Sequence, residues 1–126
     1  MILKNSLYKV LHKETDATAT TYSVELDSEH FIFKAHFPGQ PIMPGVCIVQ
    51  MVKELLEDCL GKSFRISRIK NVKFLSAISP LETSSLLCRL AKLEECAAEK
   101  TVKVQATICT ATEQKAKVSL VCTAEA

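Results

Sequence analysis

Glycine and proline are scarce: only three Gly and four Pro interrupt the 126 residues. That scarcity, with a net charge of only +2, excludes a disordered chain. Charge of one sign is lacking too, since 16 basic residues face 14 acidic ones, which argues against a dedicated nucleic-acid binder. No apolar run approaches the roughly 20 residues of a membrane-spanning helix. The opening Met-Ile-Leu-Lys-Asn-Ser carries no long apolar segment and no small-residue cleavage site, so no secretory signal and a cytoplasmic location are expected. None of the cysteines Cys47, Cys59, Cys88, Cys96, Cys109 and Cys122 forms a pair separated by two residues, so the zinc-binding spacing is missing. No metal or cofactor is expected. The cysteines read as small core residues in a reducing compartment.

What is present is an ordinary globular composition, 48% hydrophobic and 24% charged, in a length that fits one domain spanning residues 1–126. The dominant periodicity is two. Tyr22, Val24 and Leu26 alternate with Thr21, Ser23 and Glu25, and Val102, Val104, Ala106 and Ile108 alternate with more polar neighbours. Ala116, Val118, Leu120 and Cys122 repeat the pattern, as do Leu86, Cys88 and Leu90 with a less polar opposite face. Each marks a strand with one buried face. Segments near 98–111 and 115–124, separated by Ala111–Gln114, read as an antiparallel hairpin. Strands near 5–13 and 63–75 bring the set to about six.

Residues 45–60 break this rhythm. Their polar positions Gln50, Lys53, Glu54, Glu57 and Asp58 fall at helical offsets of 3, 4, 7 and 8, and every other position is apolar or small. Pro44 precedes this helix and Gly61 stops it. A helix apolar over most of its circumference needs a sheet wrapped around it, which gives an α+β fold.

Chemistry concentrates just before the helix. Three of the four prolines and two of the three glycines fall within residues 38–45, predicting a stiff, specifically shaped loop. His36 in that loop is a candidate general base, because imidazole titrates near neutrality; a structural role bonding the loop backbone is the alternative. The first amides of the helix lack helical acceptors and form a partial positive charge that can polarise a carbonyl, and Gly45 permits close approach. A base beside such a helix start suits removal of a proton α to a carbonyl. His12 and His30 have weaker cases.

The run His36-Phe37-Pro38-Gly39-Gln40-Pro41-Ile42-Met43-Pro44-Gly45-Val46 closely resembles the signature of the β-hydroxyacyl-acyl-carrier-protein dehydratases of fatty acid synthesis. Val72-Lys73-Phe74-Leu75-Ser76-Ala77-Ile78-Ser79-Pro80-Leu81-Glu82 is a weaker second match. The resemblance implies the hotdog fold, an antiparallel sheet wrapped around one long helix. It also implies dimers or trimers of dimers, with active sites at the dimer interface, and acyl carrier protein as the substrate-bearing partner. It makes His36 the catalytic histidine, the amide of Gly45 or Val46 the donor to the thioester carbonyl, and Phe37, Pro38, Gly39 and Pro44 the shell around the substrate.

The family's catalytic glutamate falls on Gln50 here. Glutamine can orient a hydroxyl or water but supplies no proton. Glu54, one turn further on, leans back toward Gln50 and is a candidate to act through it or through a water; the alternative is a solvated stripe shared with Glu57 and Asp58. The expected activity is hydro-lyase conversion of a (3R)-3-hydroxyacyl thioester to the trans-2-enoyl thioester. A non-catalytic hotdog subunit supporting an active paralogue and a hotdog acyl thioesterase are the alternatives. Arg65, Arg68, Lys70 and Lys73 are either a solvated strand face or a docking surface for the acidic carrier.

Overall fold

The computed structural model describes residues 2–125. Six strands form one antiparallel sheet: β1 (Tyr8–Thr15), β2 (Ala19–Leu26), β3 (Phe64–Phe74), β4 (Ser85–Cys96), β5 (Thr101–Cys109) and β6 (Gln114–Ala124). Two helices, α1 (Phe31–Ala35) and α2 (Gly45–Leu60), lie between β2 and β3 in the chain. The order across the sheet is β1-β2-β4-β5-β6-β3, so the chain leaves β2, forms both helices and enters the opposite edge. This is the α+β arrangement expected from the periodicities and the hotdog fold implied by the family resemblance.

Alternation decides which side of each strand meets α2. Tyr22 and Val24 on β2, Cys88 and Leu90 on β4, Val104 and Ile108 on β5, and Leu120 and Cys122 on β6 are all buried. They face Met51, Val52, Leu55 and Leu56 in one core cluster. Each fully buried side chain of this size contributes about 1.5–3 kcal/mol through removal from water. The helix keeps the expected bounds: Pro44 is its N-cap, and Gly61 ends it in the left-handed region with φ 65°, its N–H donating to Glu57 O at 2.8 Å.

Three details differ from expectation. The first strand starts at Tyr8 rather than near residue 5, because Asn5 takes a positive φ of 64° in a turn that returns Leu7 N–H to Leu3 O. The segment before α2 is not all loop. Phe31–Ala35 forms a short helix with Phe33 buried beneath it. Of the cysteines, Cys47, Cys88 and Cys122 are core residues, but Cys59 and Cys109 are half-buried and Cys96 is exposed. All six are free thiols. Burial pushes the Cys88 thiol up to about 12 and Cys122 to about 11, so neither is a thiolate at neutral pH.

β3 is an edge strand bonded only to β6 among the described residues. Its basic residues Arg65, Arg68, Lys70 and Lys73 are exposed, and so is Ile69. No described helix is long and apolar enough to cross a membrane.

Candidate active site

α1 delivers the chain to His36, whose N–H caps the helix by donating to Ile32 O at 3.0 Å. The His36–Phe37 peptide is cis. Phe37 and Gln40 then exchange backbone hydrogen bonds of 3.2 and 3.0 Å across a turn in which Gly39 takes φ 78°, a region open to glycine without strain. Ile42 N–H closes the loop on His36 O at 2.9 Å. The backbone at His36 is therefore fixed from both sides. Its half-buried ring stacks on Phe37 at 4.1 Å and makes no hydrogen bond among the described residues.

The imidazole lines a cavity of about 440 Å³ together with Pro44, Gly45, Ile48 and Phe74. Pro44 O accepts from the amides of Cys47 and Ile48, at 3.0 and 3.2 Å, so the helical bonds begin there. The Gly45 and Val46 N–H groups precede them, at the positive end of a 16-residue helix. Gly45 lets the Phe74 ring pack close: a Cβ there would stand 2.6 Å from Phe74 Cζ. The far wall of the cavity is Leu75–Ile78, joined to the loop before the helix by Met43 N–H donating to Ile78 O at 2.8 Å. A base, an electrophilic helix start and an apolar enclosure thus share one space.

The structure brings together only part of the expected shell. His36, Pro44 and Gly45 line the cavity, whereas Phe37, Pro38 and Gly39 belong to the exposed turn and Val46 is 67% exposed. Phe74 and Leu75–Ile78 were not singled out individually from the sequence. Their signal is the weaker second motif, in which all five fall.

Gln50 and Glu54 line a different space, a groove of about 420 Å³ shared with Lys4, Lys53 and Asp58. Glu54 does not belong to a solvated stripe: it is buried, with 7% exposure. Its carboxylate accepts from Leu3 N–H at 2.8 Å, Lys4 N–H at 2.9 Å, the Tyr8 hydroxyl at 2.9 Å and the Gln50 amide at 2.9 Å. Four donors make burial of the charge tolerable. Burial and the adjacent Glu54 charge hold the Tyr8 phenol well above the usual tyrosine range. One turn on, Asp58 is exposed and accepts from the Tyr22 hydroxyl at 2.6 Å and from Lys4 at 3.2 Å. Those two contacts, Tyr22 first, hold its carboxyl below the ordinary carboxylate range.

The other histidines are structural. His30 caps α1, its Nδ1 accepting from Ile32 N–H at 3.1 Å while its other nitrogen bonds Ser6 Oγ at 2.9 Å. His12 pairs with Glu14 on the exposed face of β1. No cluster suited to a metal ion occurs among the described residues.

The chain is similar to several known proteins. A 3-hydroxyacyl-acyl-carrier-protein dehydratase of Acetivibrio thermocellus is 34% identical over 85 residues, covering 62% of this chain and 58% of the relative. One from Clostridium acetobutylicum is 31% identical over 70 residues, half of each protein. The chain thus spans about half the length of the curated relatives it matches. Among solved structures, the dehydratase heterocomplex ApeI:P of Xenorhabdus doucetiae superposes with a TM-score of 0.69 at 21% identity, over 90% of this chain and 96% of that one. A thioesterase-like protein of Lactococcus lactis superposes at 0.66 with 12% identity, over 95% and 93% of the two chains. These two likenesses establish the fold alone. The family model described as ApeI dehydratase matches residues 12–118, most of the chain, and the protein belongs to this ApeI-like dehydratase family.

Proposed function

We propose that the protein is a hydro-lyase that converts a (3R)-3-hydroxyacyl thioester, carried on acyl carrier protein, to the trans-2-enoyl thioester in fatty acid or related lipid synthesis. The observation that carries this reading is the cavity in which His36 meets the start of α2. The imidazole removes the Cα proton. Charge developing on the thioester oxygen is met by the Gly45 and Val46 N–H groups, whose dipoles are already oriented. The Cα–Cβ double bond forms as the Cβ–O bond breaks. The proton held on the imidazolium passes to the departing hydroxyl, so water leaves and the neutral base returns.

Gln50 takes the position of the family's acid and has no proton to give. In our reading it orients the β-hydroxyl or a water, and Glu54 holds its amide in place. His36 and Gln50 line separate spaces within one chain, so the reading includes a dimer in which Gln50 of one copy faces His36 of the other. The open edge of β3 supports such pairing, because an unpaired edge is a template for a second strand. The acidic carrier would approach over the exposed Arg65, Arg68, Lys70 and Lys73.

The test is incubation of the purified protein with a 3-hydroxyacyl carrier-protein thioester, followed by mass separation of products. Enoyl thioester supports the reading. Free acid would make it a thioesterase, and unchanged substrate would overturn the enzyme reading. Gln50 favours one second reading, a subunit that supports an active paralogue. In that case Gln50→Glu would create dehydration from none, whereas in an active enzyme it would change an existing rate.

A further inference from the structure

Lys115, the second residue of β6, has the same parity as Lys117 and Ser119, the side facing away from α2, yet it is 6% exposed. The segment after β3 covers it. Its ammonium donates to Ala77 O at 3.1 Å, to Ser76 Oγ at 3.3 Å and to the Glu113 carboxylate. Its own carbonyl accepts from Leu75 N–H at 2.9 Å and Ser76 N–H at 3.2 Å. Ser76 is therefore held by its backbone and by its side chain.

The chemistry of these groups sets the direction of the Ser76 hydroxyl. An ammonium has three protons and no lone pair. All three of its donor directions have acceptors here, and Ser76 Oγ serves as one of them. The Ser76 proton must then point to something other than Lys115. Ser76 makes no other side-chain hydrogen bond among the described residues, and it lines the cavity that holds His36 and Gly45. Accepting from a cation also makes a hydroxyl a stronger donor, since hydrogen bonds in a chain polarise one another.

We propose that Ser76 is a substrate-binding residue, its hydroxyl donating to an amide carbonyl in the pantetheine arm of the thioester, and that Lys115 is the positioning residue that aims it. The inference rests on the thioester reading above. It extends that reading because the helix-start amides already take the thioester carbonyl, which leaves the arm amides as the next carbonyl acceptors on the substrate.

The experiment uses two 3-hydroxyacyl thioesters of equal chain length, one on pantetheine and one on a simple ethyl thiol without amides. It adds an unreactive thioether of the pantetheine compound for calorimetry. Loss of one neutral hydrogen bond is worth about fivefold in affinity. Ser76→Ala should therefore raise KM for the pantetheine thioester about fivefold with kcat little changed, and weaken the thioether equally. It should leave the ethyl thioester unaffected. Lys115→Met should reproduce that effect in the wild type and add nothing in the Ser76→Ala background, and Lys115→Arg should restore part of it. An unchanged thioether Kd in Ser76→Ala overturns the proposal, as does an equal loss on both thioesters. A Lys115→Met effect that persists undiminished in Ser76→Ala would overturn the positioning role. If Lys115→Met fails to fold, Ser76→Ala alone decides the binding role. If the wild type dehydrates nothing, the dehydratase reading fails by itself, and the thioether still decides for Ser76.

Discussion

His36 and Glu54 lie in the same chain and are held in opposite ways. The backbone of His36 is locked by the Ile32 and Ile42 bonds, while its imidazole is unbonded among the described residues and opens on a cavity. Glu54 takes four hydrogen bonds in the interior, two of them from the N-terminal backbone. Four donors engage the Glu54 carboxylate as a structural acceptor, whereas no described group hydrogen-bonds the His36 ring. In the proposed reaction the first side chain is the one left for chemistry; the second fastens the N-terminal segment to the helix and bonds Gln50.

The largest effect separates them on activity. His36→Ala should lower dehydration by about 10²–10⁴-fold, as loss of a general acid–base group does. Its melting temperature should stay close to wild type, because the ring makes few stabilising contacts. A coincident fall in melting temperature and activity would erase the contrast. Glu54→Gln is the reciprocal test, read by denaturant unfolding. Replacing a carboxylate oxygen by an NH₂ group opposes two donors, so a loss of about 2–4 kcal/mol is expected. Stability within 0.5 kcal/mol of wild type, roughly the effect of a neutral surface change, would show that the cluster is not structural.

Gly45→Ala probes the cavity side more gently. The new Cβ meets the ring of Phe74, which is 55% exposed and can rotate. Stability should change by less than about 1 kcal/mol. The displaced ring disturbs the cavity, and kcat/KM should fall by about tenfold.

The smallest effect sharpens the groove side. The Asp58 carboxyl is lowered by Tyr22 and Lys4. A lowered value in the folded state means that ionised Asp58 favours folding. That contribution is complete above the unfolded value of about 4 and is lost as pH falls through the folded one. Asp58→Asn should therefore flatten the acid limb of a melting-temperature profile and leave the slope above pH 6, roughly two units clear of the unfolded value, unchanged. Solvent screens this carboxylate, so the change is slight.

Where pattern and packing coincide, the sequence was easy to read. The bounds of α2 follow from Pro44, Gly61 and the helical spacing between them. The inward faces of β2, β5 and β6 follow from alternation alone. The sequence pointed to the Gln50–Glu54 pair but not to the burial of Glu54, because its partners Leu3, Lys4 and Tyr8 lie 46–51 positions away and two of them donate through the backbone. A backbone donor leaves no mark in the residue type. Lys115 escaped for a related reason: alternation assigns it to the outer side, and only the path of residues 75–78 buries it. α1 was hidden by its five-residue length and by the prolines that follow it. The expectation for His36 comes from a motif, and the division between its cavity and the Gln50 groove is a fact of three dimensions.

The sheet order has a consequence for how the chain is made. β3 finds its only described neighbour in β6, and Phe64 pairs with Ala124. During synthesis α2 and β3 emerge some tens of residues before that neighbour exists, at about 5–20 residues per second. Until β6 arrives, the apolar helix has no complete sheet to enter. Closure through such distant pairs is slow, since the ends of a long segment must meet before any contact rewards them. β6, the last of the described strands, is thus the one that seals the core and gives β3 its place, and a nascent chain without it leaves the apolar face of α2 exposed to water.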